Sequence, residues 1–324
     1  MRPRSNIFVH IIAITVIVIW GSTFIFTKLL LLNGMSSAMI FTLRFIIAYV
    51  ILLASSLFKW WKTKAKQRQP SSSRNSIRWR SASLKDELTF IVLGITGGSL
   101  YFLAENSAMH YTTATNDSLI VCSCPLFTTL LAAVFMKSEH IGIRQITGSL
   151  IALCGMTIVV LNGQFVLHVS PKGDLLAFIA CLCWAVYSFI MIPVSKKYSS
   201  LLITRRVFFY GILTMIPYYF YRPEPIPWEV LSKDEVLFNL LYLGLIASTG
   251  CFLTWTWVMK RLGVVSATNY VYLNPLATIL FAWWLLSESI TPWLLLGTSL
   301  LLFGLYQLNR HKKEVKKVEN AINS

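Results

Sequence analysis

The amino-acid sequence predicts an all-α membrane protein whose ten transmembrane helices form two inverted five-helix repeats. Three observations predict this fold: apolar runs of about twenty residues recur along the chain, positive charge lies on one side of them, and the two halves share a motif. Hydrophobic residues make up 56% of the 324 residues and charged residues only 13%, too few polar groups to cover a soluble protein. In lipid each segment must satisfy its own backbone amides, so we expect each run to form a spanning helix.

The spans are assigned in order from the apolar runs. The first run follows Arg2 and Arg4, as in a signal peptide, but it continues to about Leu32 without a small-residue cleavage site. We therefore interpret it as a span of the mature protein. Ser83 and Asp86 have the spacing of a helix cap before the third span. We place the spans at residues 7–32, 37–58, 88–110, 114–136, 146–163, 173–194, 204–221, 236–258, 266–287 and 292–309.

Positive charge supports both the number of spans and their orientation. Ten spans place the two termini on one side, and with that side cytoplasmic most of the 29 lysines and arginines fall on inner positions. The longest inner loop is the basic segment 59–86, and a basic tail at 311–324 follows the last span. The sequence thus predicts a multi-pass protein of the cell (inner) membrane with both termini in the cytoplasm.

The remaining composition argues against several other kinds of site. The net charge of +16 suggests a nucleic-acid partner, but the basic residues follow helix ends and no base-stacking aromatics interleave with them. The six cysteines lie in apolar runs, where small buried thiols are the simplest interpretation. The five histidines are scattered and form no metal or catalytic motif. We expect no nucleic-acid partner, no metal, no cofactor and no catalytic residue.

An internal repeat is the most specific pattern in the sequence. Pro125 and Pro275 each open the pattern P-L-x-T-x-L-x-A, and a Ser-Glu pair follows each, at Ser138-Glu139 and Ser287-Glu288. Each half contains five predicted spans. Because five is odd, the two copies must enter the membrane from opposite sides, which is the architecture of many secondary transporters.

Glycines follow each Ser-Glu pair at matching positions. They are Gly148 and Gly155 in the first half, and Gly297 and Gly304 in the second. Each pair is two helical turns apart and so lies on one stripe of its helix, which predicts close approach of another helix.

The chain resembles the EamA family of the drug/metabolite transporter superfamily. The resemblance rests on Trp20-Gly21-Ser22, on Gly173-Asp174 leading to Cys183-Trp184-Ala185, and on the two Pro…Ser-Glu blocks. It covers nearly the whole chain. It implies a first EamA-type repeat at 1–165 and a second at 166–310, before the tail at 311–324. It also implies export of amino acids, other metabolites or toxic compounds, commonly without ATP.

Two prolines point to a central site. Pro125 and Pro275 fall near the middle of spans four and nine, where each removes an amide donor and displaces the carbonyl of Val121 or Val271. Helices interrupted at matching depths in both halves indicate a substrate cavity. The alternative is a packing kink without ligand contact.

Aromatic and amide side chains supply further candidates for the cavity. Trp20 and Trp184 occupy matching repeat positions near the bilayer midplane, whereas tryptophan normally prefers the interface. They therefore line a cavity or pack in a core, and the sequence does not decide between the two. The other candidates are polar-tipped aromatics and amides that lipid would not satisfy, namely Tyr187, Trp255, Asn269, Tyr270 and Asn274.

Three ionisable residues are the candidates for coupling or gating. Arg44, Glu105 and Asp117 fall in the outer third of spans two, three and four, where an ion pair between Arg44 and a carboxylate is geometrically allowed. The functional hypothesis is an outer gate, or a carboxylate that exchanges a proton for substrate. The alternative is a static ion pair that fixes helix register.

These observations favour a secondary transporter that exports amino acids or related zwitterionic or cationic compounds, coupled to protons or another gradient. A sugar-nucleotide or phosphorylated-metabolite exchanger of the same superfamily is the first alternative, but it should need several deep cationic residues. An intramembrane enzyme is the second, but no catalytic constellation is evident. The expected partners are a small-molecule substrate and the lipid bilayer, and a homodimer is left open.

Overall fold

The protein is described by a computed structural model that covers residues 4–66, 83–112, 114–135, 143–161, 170–286, 292–293 and 295–307. Throughout these ranges the regular secondary structure is helical. The predicted Ser138-Glu139 and Ser287-Glu288 pairs, most of the basic inner loop and the basic tail at 311–324 lie outside the described residues.

The helices are numbered in chain order. They are α1 Arg4–Leu32, α2 Ser37–Lys66, α3 Leu84–Ala108, α4 Ala114–Val121, α5 Cys124–Phe135, α6 Ile143–Leu161, α7 Pro171–Lys197, α8 Ser200–Tyr221, α9 Trp228–Leu231, α10 Asp234–Leu262, α11 Val264–Thr268, α12 Asn274–Leu286 and α13 Leu295–Gln307.

Six of the described helices are long and apolar enough to cross a membrane, namely α1, α2, α3, α7, α8 and α10. Shorter apolar helices occur within α6 and at α13. The described residues are therefore all-helical and contain several spans, as in a multi-pass membrane protein. The arrangement of ten spans as two inverted repeats stays a prediction.

Serine side chains begin three of the long helices. The hydroxyl of Ser83 accepts a hydrogen bond from the amide of Asp86 at the start of α3, which confirms the predicted cap. Ser170 and Ser199 accept equivalent bonds at the starts of α7 and α8. Such caps satisfy amides that have no partner inside the helix.

Two sequence predictions about loops and burial are wrong. The inner loop does not begin at residue 59, because α2 continues to Lys66 through a run without glycine or proline. Cys154 is exposed rather than buried, which a thiol tolerates on an apolar surface because it behaves as a small hydrophobe.

The predicted interruptions at the two prolines are confirmed. The fourth predicted span ends as α4 at Val121 and resumes as α5 at Cys124. The ninth contains α11, a 3-10 turn at Asn269–Leu273 and then α12. Pro125 and Pro275 thus lie in the first turn of α5 and α12, where a missing amide costs no hydrogen bond.

A second pair of helix irregularities was not predicted from the sequence. α3 contains a π-helical segment at Ile95–Ser99, with Gly98 outside helical geometry at φ −135° and ψ −107°. α10 contains a longer π-helical segment at Tyr242–Gly250. π-helical segments are rare and frequently mark functional sites.

Helix contacts in the two halves come in matching pairs. α1 packs against α12, and α7 packs against α5. α2 packs against the π-helical segment of α10, and α8 packs against α3. α1 also packs against α10, and α7 against the second half of α3. These contacts join the first half of the chain to the second rather than keeping each half separate.

Glycines allow α6 and α13 to approach closely, as predicted. A Cβ atom added at Gly155 would lie 2.7 Å from the carbonyl oxygen of Gly297, and one added at Gly304 would lie 2.7 Å from that of Gly148. Real side chains do not fit at such distances, so both helices need glycine at the crossing.

Candidate functional site

A cavity lies where long helices from both halves meet the two interrupted helices. Aromatic side chains make up much of its wall, and the remaining lining includes one cation, one carboxylate, one amide and one hydroxyl. The lining residues are Trp20, Thr23, Phe24, Arg44, Tyr101, Phe102, Glu105, Val121, Cys124, Trp184, Phe252, Val271 and Asn274.

The structure brings together five of the residues that the sequence singled out. They are Trp20, Arg44, Glu105, Trp184 and Asn274, and all five line the cavity. The amide oxygen of Asn274 is buried and has no hydrogen-bond partner within the described residues. A ligand that donates a proton could satisfy it.

Other predicted residues lie outside the lining of this cavity. Trp255 and Tyr187 form a second layer, with ring centroids 5.2 Å from Trp20 and 5.2 Å from Trp184, respectively. Pro125 and Pro275 are absent from the lining, but each follows a residue that lines it. The structure thus places the prolines where they shape the cavity rather than touch its contents.

Asn269 and Tyr270 lie in the 3-10 turn between α11 and α12, away from the lining. The hydroxyl of Tyr270 forms a hydrogen bond with Nδ1 of His10. The amide oxygen of Asn269 is buried without a hydrogen-bond partner in the described part of the chain.

Trp20 is the centre of the aromatic wall. Its ring lies edge-on to Trp184, with centroids 5.5 Å apart at 89°, and 5.3 Å from the ring of Phe252. Its Nε1 donates a hydrogen bond of 3.0 Å to the carbonyl oxygen of Ala247 in the π-helical segment of α10. Trp20 therefore both lines the cavity and packs in the core. The two interpretations of the sequence are not exclusive for this residue.

Arg44 presents part of its guanidinium to the cavity. Its Nε donates to Oγ of Ser248 at 2.9 Å, and its guanidinium carbon lies 4.5 Å from the ring centroid of Phe102. Within the described residues, the two terminal nitrogens make no hydrogen bond. A planar guanidinium held at Nε can donate in parallel from its free nitrogens to a carboxylate.

Glu105 lines the same cavity. Its Oε1 accepts a hydrogen bond of 2.9 Å from the hydroxyl of Tyr101, one helical turn earlier. Oε2 accepts none from the described part of the chain. Arg44 and Glu105 attract each other electrostatically, but no ion pair within 4.0 Å joins them in the described ranges, so the static pair weighed as an alternative is not formed.

Asp117 lies in α4, near the cavity but outside its lining. It is fully buried, and neither carboxylate oxygen has a hydrogen-bond partner within the described residues. Glu105 and Lys28 are its charged neighbours. Lys28 itself donates a hydrogen bond of 2.6 Å to the carbonyl oxygen of Met109.

Sequence reasoning missed most of the apolar wall. One usable signal was the repeat, because the spacing between Pro125 and Pro275 also separates Phe102 from Phe252 and Val121 from Val271. A second signal came from the prolines, which were predicted to displace the carbonyls of Val121 and Val271. Both valines line the cavity. The same spacing separates Cys124 from the predicted Asn274, whereas Thr23 and Phe24 had no distinguishing signal.

Comparison with known proteins decides the family. A model described as the EamA-like transporter family matches residues 7–161 and again residues 171–310. The chain belongs to the EamA-like transporter family. It is thus a membrane transporter of this family, and several of its relatives are named as transporters or exporters.

Relatives of this EamA-family chain extend over most of its length. A protein of Archaeoglobus fulgidus named as an uncharacterized transporter is 28% identical over 300 residues, which is 92% of this chain and 96% of that protein. A protein of Streptantibioticus cattleyicolor named as a probable terminal-alkyne amino-acid exporter is 29% identical over 225 residues, 69% of this chain and 74% of that protein.

A solved crystal structure has the same fold as the EamA-family chain. The TM-score is 0.70 at 16% sequence identity, with 93% of this chain and 98% of the other covered. At that identity the likeness concerns the fold alone.

Among the described residues, no group of three or more His, Cys, Asp or Glu side chains could hold a metal ion.

Proposed function

We propose that this EamA-family transporter exports amino acids and related zwitterionic compounds through the cavity between its two halves. One observation carries the proposal. A guanidinium with two unused donors and a carboxylate with an unused oxygen, those of Arg44 and Glu105, line one aromatic-walled space.

The two free terminal nitrogens of the Arg44 guanidinium suit the carboxylate end of an amino acid. Two parallel N–H···O bonds from a guanidinium to a carboxylate are strong and directional. Arg44 is only 2% exposed, so water competes weakly for these donors. A buried cation without a full set of acceptors is costly, and a substrate carboxylate would supply them.

Glu105 and the aromatic walls suit the ammonium end and the side chain. The unused oxygen of Glu105 can accept from an ammonium group, and the faces of Trp20 and Trp184 attract cations and apolar groups alike. The aromatic lining favours amino acids with apolar side chains over small polar ones.

We propose further that transport uses two inverted five-helix repeats, at residues 1–165 and 166–310, which expose the cavity alternately to the two sides. Three features support this arrangement: the family model matches twice, both halves carry an interrupted helix, and the helix contacts come in matching pairs. Rocking of one repeat against the other around a central site is the usual mechanism of such folds. The bias of positive charge supports a cell (inner) membrane location with both termini cytoplasmic.

Glu105 is the proposed proton carrier. It faces the cavity, where an ammonium group and a proton would compete for the same carboxylate, so release of substrate outside would be matched by uptake of a proton. Asp117, which is buried and has no hydrogen-bond partner in the described residues, is the second candidate for the same role.

The main competitor is a sugar-nucleotide or phosphorylated-metabolite exchanger. Several cationic side chains should converge on the phosphates of such a substrate. Arg44 is the one Lys or Arg among the described lining residues. The Streptantibioticus relative is itself named as a probable terminal-alkyne amino-acid exporter, which supports an amino-acid substrate here.

The test is counterflow in proteoliposomes that contain the purified full-length protein. Vesicles loaded with unlabelled L-phenylalanine should accumulate radiolabelled L-phenylalanine, and other apolar amino acids in the external medium should compete. UDP-glucose and glucose 6-phosphate should not compete. Competition by the phosphorylated compounds, with none by amino acids, would contradict the proposal.

A further inference from the structure

The cation of the cavity is held by one hydrogen bond from the other half of the chain. Nε of Arg44 in α2 donates to Oγ of Ser248 in the π-helical segment of α10, and both side chains are buried. We propose that Ser248 is a positioning residue, which orients the two free terminal nitrogens of Arg44 towards the carboxylate of the substrate. This inference rests on the proposed function.

An arginine in a cavity needs such a partner to bind one substrate geometry. Its side chain has many rotamers, and fixing it costs conformational entropy. A bond at Nε restrains the guanidinium plane while leaving both terminal nitrogens available. Phe102 packs 4.5 Å from the guanidinium carbon and restricts movement further. Ser248 and Phe102 together therefore preorganise Arg44 before substrate arrives.

The matching interface in the other half lacks this hydrogen bond. The spacing that relates Pro125 to Pro275 makes Gly98 of α3 the counterpart of Ser248. Glycine has no side chain that could accept from an arginine. The bond between Arg44 and Ser248 in the α2–α10 interface therefore has no counterpart in the α8–α3 interface, whose hydrogen bonds, Ser99 with Thr214 and Tyr210 with Glu87, lie at other positions.

Glycine contacts identify the counterpart of Arg44. A Cβ atom at Gly244 would lie 3.0 Å from Cβ of Ile47, and one at Gly94 would lie 2.6 Å from Cβ of Tyr210. Ile47 and Tyr210 therefore occupy equivalent positions. Arg44 lies three residues before Ile47, and the residue three before Tyr210 is Val207, which is thus the counterpart of Arg44. The α8–α3 interface packs closely with Val207 and Gly98 at these two positions. Close packing of the two helices therefore does not require a hydrogen-bonded pair such as Arg44 and Ser248.

The local backbone explains why a serine at this point reaches the cavity residue. The hydroxyl of Thr249 donates to the carbonyl oxygen of Gly244, five residues earlier, which matches the wider π-helical turn. The preceding carbonyl, that of Ala247, accepts from the indole of Trp20. Ala247 and Ser248 are consecutive and each restrains one residue of the cavity wall.

The experiment separates a positioning role from a structural one by comparing two substrates. Counterflow of L-phenylalanine and of 2-phenylethylamine, which lacks the carboxylate, is measured with the full-length protein and with Ser248→Ala. The variant should raise KM for phenylalanine roughly fivefold, which is within the range of the net contribution of one ordinary hydrogen bond. KM for the amine, and the maximal rate for both, should not change. Ser248→Thr keeps a hydroxyl and should restore most of the phenylalanine KM.

Two further variants make the test specific. Ser99→Ala removes the hydroxyl of a serine in the other π-helical segment, where it bonds to Thr214, and should leave the ratio of the two KM values unchanged. Ser248→Ala in an Arg44→Gln background should have no additional effect on phenylalanine, because Ser248 acts through Arg44.

The results have distinct meanings. Equal effects of Ser248→Ala on both substrates, no effect on either, or full additivity with Arg44→Gln would each overturn the positioning role while leaving amino-acid transport intact. Absence of phenylalanine counterflow and of competition by other amino acids in the wild type would overturn the proposed function, and this inference with it.

Discussion

The indole nitrogen of Trp20 donates a hydrogen bond of 3.0 Å to the carbonyl oxygen of Ala247, which joins the first long helix to the π-helical segment of α10. Trp184 occupies the matching repeat position and touches Trp20 edge to face, yet its indole nitrogen has no hydrogen-bond partner within the described residues. The two tryptophans therefore contribute differently to the cavity, although the sequence repeat makes them equivalent.

Trp20→Phe should impair transport more than Trp184→Phe. Both substitutions keep an aromatic ring, but the first leaves the Ala247 carbonyl without its donor, at a cost of about 1 kcal/mol or more. We expect KM in counterflow to rise several-fold for Trp20→Phe and much less for Trp184→Phe. Equal effects of the two variants would show that the Ala247 contact is unimportant.

Gly155→Ala should destabilise the protein by about 1–3 kcal/mol, because the added methyl group would collide with α13 at the crossing with α6. Thermal unfolding of detergent-purified protein, followed by fluorescence, would report the loss. Gly250→Ala is the matched control, since the nearest atom to a Cβ there lies 3.7 Å away. A control variant as unstable as Gly155→Ala would refute the assigned crossing.

Thr23→Cys should be modified by a charged methanethiosulfonate, and substrate should protect it. Thr23 lines the cavity, whereas Thr15 of the same helix is exposed on the apolar outer surface. In a background in which the native cysteines are replaced, Thr15→Cys should react poorly, because lipid excludes the charged reagent. Reaction of both positions without protection by L-phenylalanine would argue that the cavity is not the substrate path.

Glu105→Gln should remove the pH dependence of transport. The wild type, in exchange for protons, should respond to an imposed proton gradient, whereas an amide at this position can neither bind nor release a proton. Counterflow without a gradient should persist in the variant. Glu229→Gln, at an exposed carboxylate of α9, should behave as the wild type. Unchanged pH dependence in Glu105→Gln would transfer the role to another group, with Asp117 tested next.

Local rules predicted the parts of the fold that depend on local chemistry. Pro125 and Pro275 had to interrupt their helices, because proline removes an amide wherever it lies. Gly155 and Gly304 were expected to allow close packing, because glycine has no side chain and leaves room for a second helix on that face. The start of α3 after Ser83 followed in the same way, whereas the end of α2 at Lys66 did not.

The apolar wall of the cavity was not predictable from one sequence. A phenylalanine that faces a cavity and one that faces lipid have the same hydropathy, so nothing marked Phe102 or Phe252 except the repeat. The bond between Arg44 and Ser248 joins residues 204 positions apart, and no local rule pairs them. The π-helical segments have no sequence pattern of their own, and Ser248 became a candidate only through them.

The most direct test of the account is the affinity difference between L-phenylalanine and 2-phenylethylamine, measured as KM in counterflow for the wild type and for Arg44→Gln. The wild type should prefer the amino acid by roughly tenfold or more, because a bidentate guanidinium–carboxylate contact contributes about 1.5–3 kcal/mol. Arg44→Gln should abolish that preference, and Arg222→Gln, at an exposed arginine, should retain it. A preference that survives in Arg44→Gln would contradict the claim that this arginine binds the substrate carboxylate.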